Sequence, residues 1–543
     1  MTVPRHPNDL MRLSRIGTMF PTRLSFLRTL LRNLAAERSQ LRRPVWVMDD
    51  AGFGHAVYSI DLGGHTYSLF AITQPLDPSQ RTDRVIAEAW DAAFVLYDGV
   101  PDAGEIQRLS TNAPLQESGR FTERDLCLSR ANKSMRLFAG VVDALRGAAP
   151  LPLAQIKDIG YLMRTTAVYG NGKFGIADRF EIADRPGMGG PFMAEMLTVW
   201  MIRSFTHDLV EHVGGAELPR KVKKNLGIGN STGLGMAPFL VSHPMLLHSW
   251  VMARETALAR VLGADVGPDA AAHLIRLSRQ ISQHLLEWNV PDDIQQACIL
   301  DLRQNWLRLS RRVSVDSLQQ KGALKALFDA APTPEMQELL VSWMLEVFPD
   351  QVDELETCLA NPNHPQLDGA QTVGELLEFI QSDGAWALDV DFEDSDNMAR
   401  FWYVSEAKLE PRLGWRFQED GGELESPLNI ARRISDMARD LQAAGAGDPL
   451  WAFLMTHPQH RFAAVRVQTM MALPYAEIRD NLTHANIRPI DMLRFKLAFF
   501  GAFKFDPKSD LWTRITLAQG APLPDEIASG GGGDMGFFPV FGQ

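Results

Sequence analysis

Apolar residues recur at three- and four-residue spacing over most of the chain beyond residue 120, and this periodicity constrains the fold more than any other feature. Such spacing places apolar side chains on one face of a helix, which can then pack against a neighbouring element. The segments with this pattern are 123–145, 192–213, 236–262, 270–288, 292–311, 315–380, 427–444 and 450–471. Most of the chain is therefore predicted to be helical.

Short β-like runs, interrupted by glycines, precede these helical segments. They cover residues 45–48, 55–61, 66–72 and 93–99. We therefore expect a mainly α protein with a small N-terminal antiparallel or mixed β-sheet, which is an α+β class.

Five parts are predicted along the chain. They are a basic amphipathic helix in 1–44, a small α+β unit in 45–118, a helical core with glycine-rich ligand-binding segments in 119–312, a C-terminal helical region in 313–525 and a flexible tail in 526–543. The first 43 residues contain nine Arg and no Lys. We interpret them as a helix docked on the acidic body, and targeting or membrane-surface attachment is the alternative.

Charge and cysteine content limit the classes of function. The 543-residue chain has a net charge of −12, which argues against a general nucleic-acid binder. Three widely spaced cysteines build neither a disulfide framework nor a thiolate zinc site, so a reducing cytoplasm fits best. The sequence contains no uninterrupted apolar run of about 18 residues, so a transmembrane segment is not predicted. Homo-oligomer formation is left open.

The segment 223–235 is rich in glycine and in small polar side chains, and it runs directly into the apolar segment 236–262. Glycines let the backbone curl, and a following helix aims unpaired N–H groups at whatever lies before it. This pattern predicts a site for a carboxylate or phosphate. Its candidate substrate-binding residues are Asn225, Asn230, Ser231 and Thr232.

A second segment, 161–175, contains a G-x-G-x-x-G pattern at residues 170–175. The dinucleotide motif needs an apolar strand before it and a long helix after it, and neither is expected here, so a nicotinamide or flavin cofactor is not predicted. The segment still surrounds its glycines with charged and hydrogen-bonding groups. Arg164, Thr165, Asn171 and Lys173 are therefore predicted to bind the same anionic ligand as segment 223–235.

Acid/base chemistry is predicted beside this ligand. Tyr169 and His243 are the candidate proton-transfer groups, because a phenol or a neutral imidazole can exchange a proton with a bound metabolite. The leading hypothesis is an intracellular enzyme of lyase or isomerase type that acts on a small anionic metabolite. The polar segment 389–416 adds three secondary ligand residues, Arg400, Tyr403 and Arg412.

Two alternative functions remain open from the sequence. His207 and Glu211 are spaced i, i+4 on a predicted helix and could hold a divalent metal, which would indicate a metal-dependent oxidoreductase. The other alternative is a non-catalytic helical interaction protein, whose sign would be a large exposed apolar face without an enclosed polar pocket.

Overall fold

The computed structural model describes most of the chain between residues 23 and 531. The described ranges are 23–75, 91–114, 121–133, 135–170, 182–190, 192–233, 244–289, 293–355, 367–382, 384–389, 391, 427–461, 463–464, 467–468, 478–479, 482–483, 504–507 and 512–531.

A nine-stranded mixed sheet crosses this part of the chain. Its strands are β1 (Arg42–Met48), β2 (Gly54–Leu62), β3 (His65–Thr73), β4 (Ala92–Asp98), β5 (Asp125–Lys133), β6 (Tyr161–Gly170), β7 (Gly227–Gly233), β10 (Lys504–Pro507) and β11 (Trp512–Leu517), while β8 (Ile478–Arg479) and β9 (Leu482–Thr483) pair separately. The spatial order is β1-β2-β3-β4-β5-β6-β7-β11-β10. Neighbours are antiparallel except β6 and β7, which are parallel.

The predicted fold class, mainly α with a small N-terminal sheet, is wrong. The sheet extends beyond the N-terminal region through β5, β6 and β7 and takes in two strands from the C-terminal region, so the class is mixed α/β. The sheet is continuous across residue 118 because β4 pairs with β5. The domain boundaries themselves stay a prediction.

Helices surround the sheet and build most of the remaining structure. They are α1 (Phe26–Ala36), α2 (Ala103–Asn112), α3 (Met135–Arg146), α4 (Leu153–Ile159), α5 (Met193–Gly214), α6 (Arg220–Asn225), α7 (Pro244–Leu262), α8 (Pro268–Glu287), α9 (Asp293–Ser310), α10 (Val315–Leu318), α11 (Ala323–Asp329), α12 (Pro334–Leu345), α13 (Pro349–Val352), α14 (Val373–Ser382), α15 (Ala385–Leu388), α16 (Pro427–Gln442), α17 (Leu450–Thr456) and α18 (Pro524–Ala528).

Helix α5 is the central helix of the fold. It lies against β3 through β7 on one side and against α1 and α3 on others. Eighteen of its 22 residues are buried, which fits a sequence that is apolar nearly all round. The helix therefore fixes the position of the strands beneath it.

Helix α1 packs four leucines into the main core and buries a charged side chain. Arg28 is 2% exposed and donates two hydrogen bonds to Glu346, at 2.9 and 2.7 Å. Arg23 makes a similar two-bond contact with Asp353, at 2.6 Å each. These two pairs connect α1 and the residues just before it to Glu346 and Asp353, which directly follow α12 and α13.

A second hydrophobic core lies among α14 to α17 and residues 463, 464 and 467. It is separate from the main core, which contains α1, the sheet residues and helices α5 and α7 to α12. Among the residues that the structure describes, no helix is both long enough and apolar enough to cross a bilayer.

Candidate functional site

The two glycine-rich segments of the sequence meet as neighbouring strands. Strands β6 and β7 run parallel, with Arg164 opposite Gly229 and Thr165 opposite Asn230. Because the strands are parallel, the chain leaves both of them at the same edge of the sheet. In sheets with parallel strands, the edge beyond their carboxyl ends is where ligands most often bind.

Glycines in β7 permit close packing within the sheet. A Cβ on Gly229 would lie 2.6 Å from the ring of Tyr161, and one on Gly227 would lie 2.2 Å from the carbonyl oxygen of Leu517. Both distances are shorter than real contacts allow. Residues 227–233 form a strand that pairs with β6 and β11. The prediction of a freely curling backbone is therefore wrong for these residues.

The structure also corrects the interpretation of segment 161–170. Its polar residues predicted that it is not a central strand, but it forms β6, which lies inside the sheet between β5 and β7. Thr165 is completely buried, and its hydroxyl lies 3.3 Å from the carbonyl oxygen of Gly229, to which it donates. A polar side chain is tolerated here because the adjacent strand satisfies it.

Two other predicted ligand residues have clear positions. Arg164 is half-buried within β6. Asn225 is 8% exposed and lies at the end of α6, where its Nδ2 donates to the carbonyl oxygen of Lys221 at 2.8 Å. Asn225 thus holds the turn that leads into β7.

The remaining candidates fall partly or wholly outside the described residues. Tyr169, Asn230, Ser231 and Thr232 lie in β6 or β7, but only their backbone is described. Asn171, Lys173, His243, Arg400, Tyr403 and Arg412 lie outside the described residues. Their predicted roles stay predictions.

Glu211, one of the two predicted metal ligands, has other partners. Its Oε1 accepts from the backbone N–H of Leu218 at 2.6 Å and lies 2.8 Å from Nζ of Lys223. Within the described ranges, no group of three or more His, Cys, Asp or Glu side chains is arranged to hold a metal ion. A metal role for His207 and Glu211 is left as a prediction.

His207 itself is 5% exposed on α5. Burial lowers the pKa of the imidazole well below its ordinary value, and the positive charges of Arg203 and Lys223 lower it further. The backbone of Leu226, next to the amino end of β7, opposes this lowering in part. The imidazole is therefore neutral near pH 7.

Arg203 donates hydrogen bonds to the backbone of the same region, and the sequence did not predict this role. Its guanidinium donates to four carbonyl oxygens, those of Leu226 at 2.7 Å, Lys223 at 3.1 Å, Lys224 at 3.2 Å and Pro522 at 3.2 Å. The side chain is 1% exposed, and burial lowers its pKa to about 9. A lone arginine within an apolar helical stretch was the signal that could have identified it.

Comparison of the chain with protein-family models, with curated proteins and with solved structures found no match in any of the three.

Proposed function

We propose that the protein is an enzyme that binds a small carboxylate- or phosphate-bearing metabolite beyond the carboxyl ends of β6 and β7. Lys173 and Asn230 would hold the anionic group, whereas Arg164 lies six residues before the end of β6, about 20 Å along the strand. Tyr169 or His243 would transfer a proton, which indicates chemistry of lyase or isomerase type.

One observation carries this proposal: β6 and β7 are adjacent and parallel, with Arg164 opposite Gly229. Arg164 and Gly229 are 65 residues apart in sequence, and the chain therefore leaves the sheet side by side after these two strands. Asn171 and Lys173 directly follow the last residue of β6, and Asn230 precedes the end of β7 by three residues. A positive charge and amide groups at such an edge suit a phosphate or carboxylate.

The proposed reaction follows from general acid/base chemistry. A cationic group beside a carboxylate stabilises the negative charge that develops when a proton leaves the adjacent carbon. A phenol or imidazole within reach can accept or return that proton. Removal of that proton is the step that isomerases and lyases of this kind share: an isomerase then returns a proton to carbon, and a lyase expels a leaving group as the double bond forms.

Binding is tested by calorimetric titration of the full chain with inorganic phosphate and with malonate. Lys173→Ala and Asn230→Ala should each weaken binding of at least one anion about tenfold, which is about 1.4 kcal/mol. Lys325→Ala is the matched control, because Lys325 is an exposed lysine on α11. Unchanged affinity in both site variants, or equal loss in the control, would contradict the site.

Proton transfer is tested separately, by following the exchange of carbon-bound hydrogen in small carboxylates in D₂O by NMR. Tyr169→Phe or His243→Gln should slow exchange by about 100-fold, the usual contribution of a general acid or base. No exchange with any carboxylate, or equal exchange in both variants, would contradict the acid/base part of the proposal.

A further inference from the structure

A cleft of about 350 Å³ opens at the other end of β7. It lies among the second half of α5, the segment 217–223 and the beginning of α18. Its polar lining consists of Ser204, His207, Asp208, Glu217, Arg220, Lys223 and Asp525. At about 3.3 Å per residue, the length of β7 separates this cleft from the carboxyl edge by about 20 Å. The cleft is therefore distinct from the site proposed above.

His207 supplies a buried acceptor in the wall of this cleft. Its Nε2 is buried and makes no hydrogen bond to any residue that the structure describes. Burial lowers the pKa of the imidazole, so the ring is neutral near pH 7 and one of its two nitrogens carries a lone pair. A buried polar atom without a partner costs about 1–3 kcal/mol, which a hydrogen bond with a ligand would recover.

Asp208 supplies a second acceptor beside His207. Its Oδ2 accepts from the hydroxyl of Tyr58 at 2.6 Å and from Nη1 of Arg43 at 2.8 Å. Its Oδ1 has no hydrogen bond within the described part of the chain. The carboxylate is thus held in place by one oxygen while the other can accept from a ligand.

The cations of the cleft can be reached by an anionic group. Arg220 pairs with Asp525 at 2.5 Å, but the two side chains are 54% and 63% exposed. Arg220 also lies 3.2 Å from Glu526. Exposed pairs such as Arg220 with Asp525 contribute little free energy, so a ligand carboxylate can replace Asp525 at small cost while Glu526 stays beside the guanidinium. Lys223 lies beside it, 24% exposed and paired with Glu211.

Both signs of charge therefore line one small cleft. A simple anion would meet Arg220 and Lys223 but also the carboxylates of Asp208, Glu217 and Asp525. A ligand with an ammonium group and a carboxylate satisfies both sets. Leu218 and Leu523 add apolar lining.

We propose that this cleft binds a free amino acid with an apolar side chain. Its ammonium group donates to Nε2 of His207 and Oδ1 of Asp208, and its carboxylate pairs with Arg220 and Lys223. The apolar side chain lies against Leu218 and Leu523. A cavity of this volume is at the lower end of the range for small-molecule sites, which suits a ligand of this size.

Three compounds of nearly equal shape test the proposal: L-leucine, L-2-hydroxy-4-methylpentanoate and 4-methylpentanoate. They differ only in an ammonium group, a hydroxyl group or a hydrogen atom beside the carboxylate. Calorimetric titration of the full chain should give an affinity for L-leucine at least tenfold higher than for 4-methylpentanoate, with the hydroxy acid between them. Equal affinities for the three compounds, or no binding of L-leucine, would overturn the proposal.

Variants locate the binding. Arg220→Ala and Asp208→Asn should each weaken L-leucine binding at least tenfold, and both positions are exposed enough for the chain to fold. Arg311→Ala, at an exposed arginine just after α9, is the matched control and should bind as the unaltered chain does. Lys173→Ala should also leave L-leucine binding unchanged, because Lys173 belongs to the other proposed site. Full affinity in both Arg220→Ala and Asp208→Asn would overturn the assignment to this cleft.

Discussion

Gly229 lies directly against the ring of Tyr161, so closely that a Cβ at this glycine would be 2.6 to 2.7 Å from three ring atoms. Tyr161 is 3% exposed at the beginning of β6, so its ring has little room to move. Gly229→Ala should therefore lower the free energy of unfolding by about 1–3 kcal/mol, the usual cost of overpacking a core. Urea unfolding followed by circular dichroism measures the change.

Gly140→Ala is the matched control for Gly229→Ala. Gly140 lies within α3, and no described atom beyond its chain neighbours and the backbone of its own helix lies within 4 Å of the position its Cβ would take. Alanine there should raise the free energy of unfolding by up to about 1 kcal/mol, because glycine is a poor helix former. Equal effects of the two substitutions would show that the contact with Tyr161 is not what requires glycine in β7.

Arg203 holds the C-terminal segment on the body of the protein. Arg203→Met should remove a donor from four carbonyl oxygens, of which those of Lys223, Lys224 and Pro522 keep another donor, and should cost about 1–3 kcal/mol of unfolding free energy. Hydrogen exchange should also become faster at Gly520, whose N–H donates to the carbonyl oxygen of Lys224. Arg279→Met, at an exposed position on α8, should change neither quantity, and unaltered exchange at Gly520 in Arg203→Met would contradict the role.

Buried histidines should make the protein less stable as pH falls. Burial lowers the pKa of His207 well below its ordinary value of 6.5 and lowers the pKa of His284 to about 4. Below about pH 6.5 the unfolded chain binds protons at these positions that the folded chain does not, so the free energy of unfolding decreases by about 1.4 kcal/mol per pH unit for each group. His207→Gln and His284→Gln should each reduce the loss between pH 7.5 and 5.5 by about 1 kcal/mol.

The comparison for the histidine variants is Leu285→Ala, which alters a buried residue without removing a titrating group. It should lower the whole curve of unfolding free energy against pH by a constant amount. If His207→Gln and His284→Gln also shift the curve uniformly, the depressed pKa values are wrong.

The buried pair of Arg28 and Glu346 should fix α1 to the body. Glu346→Leu leaves a guanidinium that is 2% exposed without this carboxylate, and we expect a loss of about 3–5 kcal/mol of unfolding free energy. The double variant Arg28→Met with Glu346→Leu should recover most of that loss, because the guanidinium of Arg28 is removed together with its carboxylate and Arg23 keeps its pair with Asp353. Chemical denaturation measures all three proteins. A double variant as unstable as Glu346→Leu would contradict this account of the pair.

Strands with an ordinary apolar pattern could be predicted from the sequence. The β-like runs at 45–48, 55–61, 66–72 and 93–99 coincide with β1 to β4. The predicted helices at 192–213, 270–288 and 292–311 are also confirmed, within about two residues, by α5, α8 and α9. In these elements the apolar period matches the buried face, so local pattern and tertiary packing agree.

The strands that were missed depend on long-range packing. Segment 123–145 was predicted as one helix, but its first part is β5, which is buried on both faces and therefore lacks alternation. Strand β7 consists of glycine and small polar residues and is a strand because Tyr161 packs on Gly229 and β11 returns from about 280 residues later to pair with it. Neither contact can be predicted from the local sequence pattern.

The candidate site was predicted in part for the same reason. The proximity of segments 161–175 and 223–235 was inferred from similar composition, and β6 and β7 are adjacent. His207 was predicted as a metal ligand because of its spacing to Glu211. In the structure it lies beside Leu226 and lines a cleft together with residues 523–525. Those neighbours come from distant parts of the chain.

Hydrogen–deuterium exchange in the presence and absence of saturating inorganic phosphate tests the central claim most directly. If an anion binds beyond the carboxyl ends of β6 and β7, peptides that contain Gly170 to Lys173 and peptides that end near Gly233 should both exchange more slowly with phosphate. Peptides of the cleft at residues 217–223 should be unchanged. Slower exchange at only one of the two strand ends, or at neither, would contradict a shared anion site at this edge.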